Sequence, residues 1–301
     1  VEVNSEESDA SEGGELITLK QQVNFAAHVR KAGEDIKVGQ EILKPGRRIR
    51  ATDIGLLSSL GVAKVSVYRK IKVALISTGD ELKAPGETLE PGQFYESNGF
   101  TVAAGLKKLG AEIIDYGILP DDIDVLKKAF IEADQKADVV ITSGGVSVGE
   151  ADYIKPILEE LGRIAFWKLA IKPGKPFAFG HLPNSYFIGL PGNPVSALVT
   201  MHQLAVPMLR KLSGADAETP IRIPATATHK IKKGPGRTDF QRGIYSINEQ
   251  GSFEVLTTGS QGSGILRSMS MANCYIILEQ ERGNVEPGEA VVIEPFDDLL
   301  N

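Results

Sequence analysis

The sequence predicts an α/β protein. A parallel-sheet α/β domain over residues 71–213 is preceded by a small α+β module with an acidic linker (1–70) and followed by a small all-β domain (214–301). Three observations carry this. From Ile71 to Leu212, apolar runs that fit buried strands alternate with helix-period segments, the pattern of parallel strands joined by right-handed crossovers. Two of those runs pass straight into glycine turns and then into helix. After Ser213-Gly214 the text alternates apolar and polar with frequent glycines, as in Phe253-Glu254-Val255-Leu256 and Ala290-Val291-Val292-Ile293, which fits a β domain.

Taken in order, Asn4 to Glu15 is acidic and rich in Ser and Gly, a solvated loop or linker. From Ile17 to Val67 short apolar stretches are separated by glycines, with one helix after Thr52, whose hydroxyl would cap the run Asp53 to Leu60. Ile71 to Ser77 reads as a buried strand, Ser97 to Leu109 as an amphipathic helix ending at Gly110, and Glu112 to Tyr116 as a strand. Ile123 to Ala133 is helical, Asp138 to Ile141 strand, Tyr153 to Leu161 helical, Ile164 to Ile171 strand, and Pro194 to Leu212 one long helix. No internal repeat is present.

With Lys+Arg 33 against Asp+Glu 39, the net charge of −6 disfavours a general nucleic-acid or anionic-membrane surface. No apolar run approaches the roughly 20 residues of a membrane span and no signal segment opens the chain, so a cytoplasmic location is expected. The single cysteine, Cys274, excludes an intrachain disulfide and sits in an apolar strand, where a packed thiol is expected rather than a nucleophile. The chain opens on Val1-Glu2-Val3 with no methionine, turn or cap and reads as part of something longer.

The chemistry is concentrated at strand ends. The turns Thr142-Ser143-Gly144-Gly145-Val146-Ser147-Val148-Gly149-Glu150-Ala151-Asp152 and Gly189-Leu190-Pro191-Gly192-Asn193-Pro194-Val195-Ser196 are the places where backbone can approach an anion closely and a helix N-terminus can meet it. Asn193 is placed as an N-cap with Pro194 as first helical residue. Ser77-Thr78-Gly79-Asp80-Glu81 occupies a third strand end, and sheets of this kind bind ligands beyond the carboxyl ends of their strands. Acids gather there too: Asp80 and Glu81, Asp121 and Asp122, Glu150 and Asp152. Carboxylates beside a phosphate repel it unless a divalent cation intervenes, so a magnesium site is the economical inference, with loop solvation or helix capping as the alternative for any one acid. Lys168, Lys172 and Lys175, held among prolines, suit an oxyanion, and Arg237 and Arg242 would add charge from the β domain. His28, His181, His202 and His229 lack metal-ligand spacing, and Walker, G-x-S-x-G and G-x-G-x-x-G patterns are missing from the text.

At these motifs the chain resembles the molybdopterin molybdenumtransferase family, which includes gephyrin E domains. The resemblance rests on Ser77 to Leu82, Thr142 to Tyr153, Phe166-Trp167-Lys168-Leu169-Ala170-Ile171-Lys172-Pro173-Gly174-Lys175-Pro176 and Gly189 to Ser196, and extends to Gly33-Glu34-Asp35-Ile36 and Phe240-Gln241-Arg242-Gly243. It implies a molybdopterin-binding type of sheet domain and Mg2+-dependent insertion of molybdate into adenylylated molybdopterin with release of AMP. Carried over by motif, Asp35, Glu81, Asp121 and Asp152 would support magnesium and the reacting phosphoanhydride, with Glu81, Asp121 and Asp152 as the metal ligands. Lys168, Lys172 and Arg242 would bind oxyanion charge. Thr78, Gly79, Ser143, Gly144, Gly145, Ser147, Pro191, Gly192, Asn193, Pro194 and Ser196 would hold the pterin phosphate.

The family also implies a homodimer built partly by an N-terminal region, and an adenylyltransferase partner in the pathway. A motif of the form Asp-Asn-Ser-Ala-Met-Asp-Gly-Tyr that belongs to that region is missing from this text, so impaired turnover is expected. Two other readings stand beside this one: a molybdopterin adenylyltransferase, which shares the glycine-loop sheet, and a binding scaffold of the gephyrin E-domain type.

Overall fold

A computed structural model describes residues 8–10, 17–19, 24–27, 29–146, 153–216 and 218–300. Contacts divide the chain into two units, Val1–Arg47 and Arg48–Asn301. The first holds an antiparallel ribbon, β1 (Ser8–Ala10) with β2 (Ile17–Leu19), followed by turns and bends. A strand at Ser8–Ala10 is more structure than the acidic text suggests.

In the second unit α1 (Ala51–Ser59) starts two residues earlier than expected. The Thr52 hydroxyl is not its cap; Asp53, at the third helical position, accepts from the Arg50 backbone N–H at 2.9 Å. The sheet domain then runs β3 (Lys72–Thr78), the small ribbon β4 (Leu82–Lys83) and β5 (Phe94–Tyr95), α2 (Asn98–Leu109), β6 (Glu112–Leu119), α3 (Ile123–Lys136) and β7 (Val139–Ser143). It continues with α4 (Ile154–Leu161), β8 (Arg163–Lys168), β9 (Ile171–Lys172), β10 (Pro176–His181), β11 (Tyr186–Leu190), α5 (Pro194–Thr200) and α6 (Val206–Leu212). Gly110, at φ +83°, closes α2 in the left-handed conformation that favours glycine, and Asp122 caps α3 through bonds from the Asp124 and Val125 N–H groups. The helix expected over 194–212 is interrupted by a π turn at Met201–Ala205.

The six strands order β6-β3-β7-β11-β10-β8. The first four are mutually parallel, as expected; β10 returns antiparallel beside β11 and β8, so the sheet has a hairpin edge. Because strand side chains alternate, Val73, Leu75, Ile141 and Ile188 pack one face against α2, α5 and α6. Ala74, Ile76, Val140 and Phe187 pack the other against α3 and α4. Both faces are covered, which is why these strands read as continuous apolar runs.

The β domain comprises β12 (Ile223–Ala227), β13 (Thr238–Ile247), β14 (Phe253–Thr257), the short helix α7 (Arg267–Met271), β15 (Cys274–Leu278) and β16 (Ala290–Pro295). The order β14-β12-β16-β15-β13, with β13 also pairing β14, closes five strands into a small barrel. Cys274 is packed inside it, where burial pushes its thiol up to about 12. The single strand expected over 164–171 is two: β8 stays in the sheet, while β9 crosses to pair in parallel with β13, Ile171 opposite Thr238 and Lys172 opposite Asp239. A separate apolar cluster joins Val195 and Val199 of α5 to Phe240, Tyr275, Ile277 and Phe296 of the barrel. Among the described residues no helix is long and apolar enough to cross a membrane.

Candidate active site

Parallel pairing fixes where the strands end. Ser77 is in register with Ser143, Ser143 with Leu190, and Thr78 with Leu119, so four strands deliver their following loops to one edge. There they enclose a cavity of about 560 Å3. Its polar floor holds Thr78 and Gly79 after β3, Ser143, Gly144 and Gly145 after β7, and Pro191, Gly192, Asn193, Pro194 and Ser196 after β11.

The turns interlock. The Gly144 N–H donates to the Leu190 carbonyl at 3.3 Å, and the Asn98 amide donates to the Gly192 carbonyl at 2.7 Å. Gly144 and Gly145 take φ of +94° and +65°. A side chain at Gly144 would stand 2.6 Å from the Thr78 carbonyl, and one at Gly145 would strike Ile154 at 2.5 Å, so only glycine fits either place. The Thr78 hydroxyl lies between them, buried and without a hydrogen-bond partner among the described residues. Asn193 is the residue before α5, as expected, but its side chain makes no capping bond, which leaves the amide to the cavity it lines. The Val195 N–H of the first turn is taken by the Ser263 carbonyl of the barrel.

Glu81 and Asp121 line the same cavity. The Asp121 N–H donates to Asp80 Oδ1 at 3.1 Å, bringing the first two acid pairs together. Burial, then the neighbouring Asp80 and Glu81 charges, raise the Asp121 carboxyl above its ordinary value. Asp122, by contrast, is engaged in capping α3. Among the described residues no group of three or more His, Cys, Asp or Glu is arranged to hold a metal.

The basic residues take other places. Lys168 is exposed at the end of β8, opposite Pro176, which lines the cavity. Lys172 reaches across to the barrel, its Nζ 3.4 Å from Asp239, a carboxylate itself buried. Arg242 is buried in the barrel; its Nε donates to Ser268 at 3.0 Å and its Nη2 to the Gly262 carbonyl at 3.1 Å, beside Gly264 of the cavity wall. Burial lowers its guanidinium to about 10, still cationic at neutral pH. Asp35 is exposed in a bend of the first unit. Ser147 and Asp152 lie outside the described residues.

Sequence reasoning missed Phe94, Tyr95 and Glu96 in one wall, and did not assign Leu82, Ser97 or Asn98 to the site. The ribbon that carries Leu82, Phe94 and Tyr95 is too short for strand periodicity. The available signal was Ser97-Asn98 at a helix start, one residue after the aromatic pair Phe94-Tyr95.

Comparison with known proteins agrees with this architecture. Residues 74–211 match the probable molybdopterin binding domain family, residues 224–296 the MoeA C-terminal region (domain IV), and residues 1–61 the MoeA N-terminal region (domains I and II). The chain is 54% identical to the molybdopterin molybdenumtransferase of Haemophilus influenzae, over 91% of this chain and 68% of that protein. It is 30% identical to gephyrin of Dictyostelium discoideum, over 95% of this chain and 45% of that protein. The crystal structure of a molybdopterin biosynthesis MoeA protein from Pyrococcus horikosii superposes with a TM-score of 0.77 at 32% identity, over 98% of this chain and 71% of that one. The chain therefore belongs to the molybdopterin molybdenumtransferase family.

Proposed function

We infer that this chain is a molybdopterin molybdenumtransferase of molybdenum cofactor biosynthesis, taking adenylylated molybdopterin and molybdate and releasing AMP. The observation that carries this is the meeting of both glycine turns with Glu81 and Asp121 in one cavity. A phosphate end would sit on the Gly144-Gly145 and Pro191 to Ser196 turns and accept the unpaired Thr78 hydroxyl proton. The anhydride P–O bond to the adenylate breaks as an incoming oxygen bonds to phosphorus, and AMP departs.

Burial, and then the neighbouring Asp80 and Glu81 charges, raise the Asp121 carboxyl, and a divalent cation there would offset both, which supports a magnesium site although the described acids alone do not form one. Glu81 and Asp121, with Asp152, would hold it. Bound there, the cation would neutralise charge on the phosphate oxygens. Lys168, Lys172 and the buried Arg242 would present positive charge to the oxyanion from the β8–β10 segment and the barrel. Fixed donors of this kind cost no reorganisation during reaction. We place the enzyme in the cytoplasm as a homodimer, supplied with substrate by an adenylyltransferase. The exposed apolar residues Val62, Val65, Val67 and Tyr68 support a subunit contact.

The test is AMP release from adenylylated molybdopterin, followed with and without Mg2+ and molybdate. Release that needs both is expected. Failure to bind the adenylylated pterin at all would overturn the reading.

A further inference from the structure

The cavity has one apolar wall. Phe94 and Tyr95 of β5 line it with Leu82 of β4, and both rings are open to solvent, Phe94 at 52% and Tyr95 at 45% exposure. A single exposed aromatic is ordinary on a surface. These two are the aromatic residues of a concave site whose other walls are glycine, proline, amide, hydroxyl and carboxylate, and their ribbon is pinned. The Phe94 N–H donates to the Glu81 carbonyl at 2.9 Å and the Glu96 N–H to the Lys83 carbonyl at 2.8 Å. The Tyr95 hydroxyl donates to the Glu87 carbonyl at 2.9 Å, and buried Glu96 accepts from the Gly99 N–H at 2.6 Å. Tyr95 is thus tied at its far end. Phe94 carries no polar atom to tie, and its backbone bond fixes it beside Glu81.

We propose that Phe94 is the stacking platform for a planar heteroaromatic ring of the substrate, with Tyr95 bounding the platform and determining how the ring enters. This rests on the reading of the cavity as a phosphate cradle, which it deepens. Glu81, Glu96 and Asp121 make the cavity acidic, so an anionic ligand needs a source of affinity that does not depend on charge. A neutral ring on a preordered aromatic face supplies it, because stacking tolerates any flat π system and the platform loses little entropy on binding. The same β4–β5 pairing that seats Phe94 also seats Glu81, so ring and reacting phosphate would be placed by one element. Pterin and adenine share this chemistry, and separate probes distinguish them.

The experiment titrates AMP, neopterin monophosphate and ribose 5-phosphate, in Mg2+, into the whole chain and its Phe94→Leu and Phe94→Trp variants by calorimetry. Leucine keeps an apolar side chain at an exposed position, so the fold is retained. About a tenfold loss of affinity in Phe94→Leu is expected for one ring-bearing probe, with Phe94→Trp near wild type and ribose 5-phosphate unchanged. Loss confined to AMP assigns adenine to the platform, and loss confined to neopterin monophosphate assigns the pterin. Unchanged affinity for both ring-bearing probes overturns the stacking role alone. Equal loss for ribose 5-phosphate also overturns it, since the effect would then be one of shape. Wild-type protein that binds none of the three overturns the phosphate cradle and this inference together.

Discussion

Two regions of the second unit are rich in buried or half-buried polar groups, and they differ in how those groups are satisfied. At the seam between the 194–212 helix and the barrel, His202 Nε2 meets Asp297 Oδ1 at 3.1 Å and Arg210 holds the other Asp297 oxygen at 3.0 Å. Gln203 and Arg222 take the two oxygens of Glu294 at 2.6 and 3.2 Å, and Arg210 also pairs with Glu218 at 2.9 Å. Each carboxylate there faces a cation or a donor. The exception is the Tyr275 hydroxyl, without a partner among the described residues and held well above its ordinary pKa by burial and by Glu294 and Asp297. At the cavity the pattern reverses. Acid neighbours acid, the Thr78 hydroxyl has no partner among the described residues, and Asn193 precedes a helix without capping it. The carboxylates of the seam are satisfied as they stand, whereas the cavity holds groups that a ligand would complete.

The largest effect expected from this contrast is on catalysis at the cavity. Glu81→Gln removes a carboxylate that would carry magnesium, and a fall of about 10²–10³ in kcat is expected, with a higher Mg2+ requirement in the AMP-release assay. An unchanged Mg2+ dependence would remove Glu81 from the metal site. Gly144→Ala puts a methyl group 2.6 Å from the Thr78 carbonyl at a positive φ, so the turn must shift. About a 10²-fold loss of kcat/KM is expected, because misplacement by roughly 1 Å costs that much; full activity would show that the turn does not touch the substrate.

The seam should answer in stability instead. Hydrogen bonding to His202, with Arg210 also donating, holds the Asp297 carboxyl well below the usual carboxylate range. Its contribution is therefore present above the unfolded value of about 3.9 and is lost as pH falls through the lower folded value. Asp297→Asn should cost about 1–2 kcal/mol near pH 7, the figure for a broken ion pair discounted for a side chain 36% exposed, with catalysis retained. Calorimetry would show Tm lower by roughly 3–6 °C near pH 7, with the difference starting to shrink only as pH falls below about 4.

A smaller effect of opposite sign is expected at Asp121. Its folded pKa is raised, so the favourable contribution is present below about pH 3.9 and is lost as pH rises through the folded value. Asp121→Asn should therefore raise Tm slightly at pH 7 while reducing activity. A lower Tm at pH 7 would mean that the acid is structurally satisfied and would erase the contrast.

Much of this was legible in the sequence where local physics decides the outcome. Buried strands read as apolar runs, Asp122 and Gly110 mark helix ends, and the Gly144-Gly145 turn announces positions that no larger residue can take. What could not be read depends on partners distant in sequence. Nothing local splits 164–171 into two strands, because β9 is defined by its pairing with β13. Lys172 was legible as a fixed charge, but its contact with Asp239 exists only once the barrel is docked. Arg242 was likewise legible as a charge offered by the β domain, but its burial, with the guanidinium satisfied by Ser268 and the Gly262 carbonyl, depends on residues distant in sequence. The Phe94 wall escaped because two-residue strands carry no period.

The most direct test of the contrast is the near-isosteric change Thr78→Val, with Tm and calorimetric AMP affinity measured on the same protein. A hydroxyl kept for a ligand predicts a Tm equal to or above wild type, since a buried unpaired group is removed, together with AMP binding weakened about tenfold. A clear fall in Tm with AMP affinity unchanged would show that the hydroxyl serves the fold, and would contradict the account.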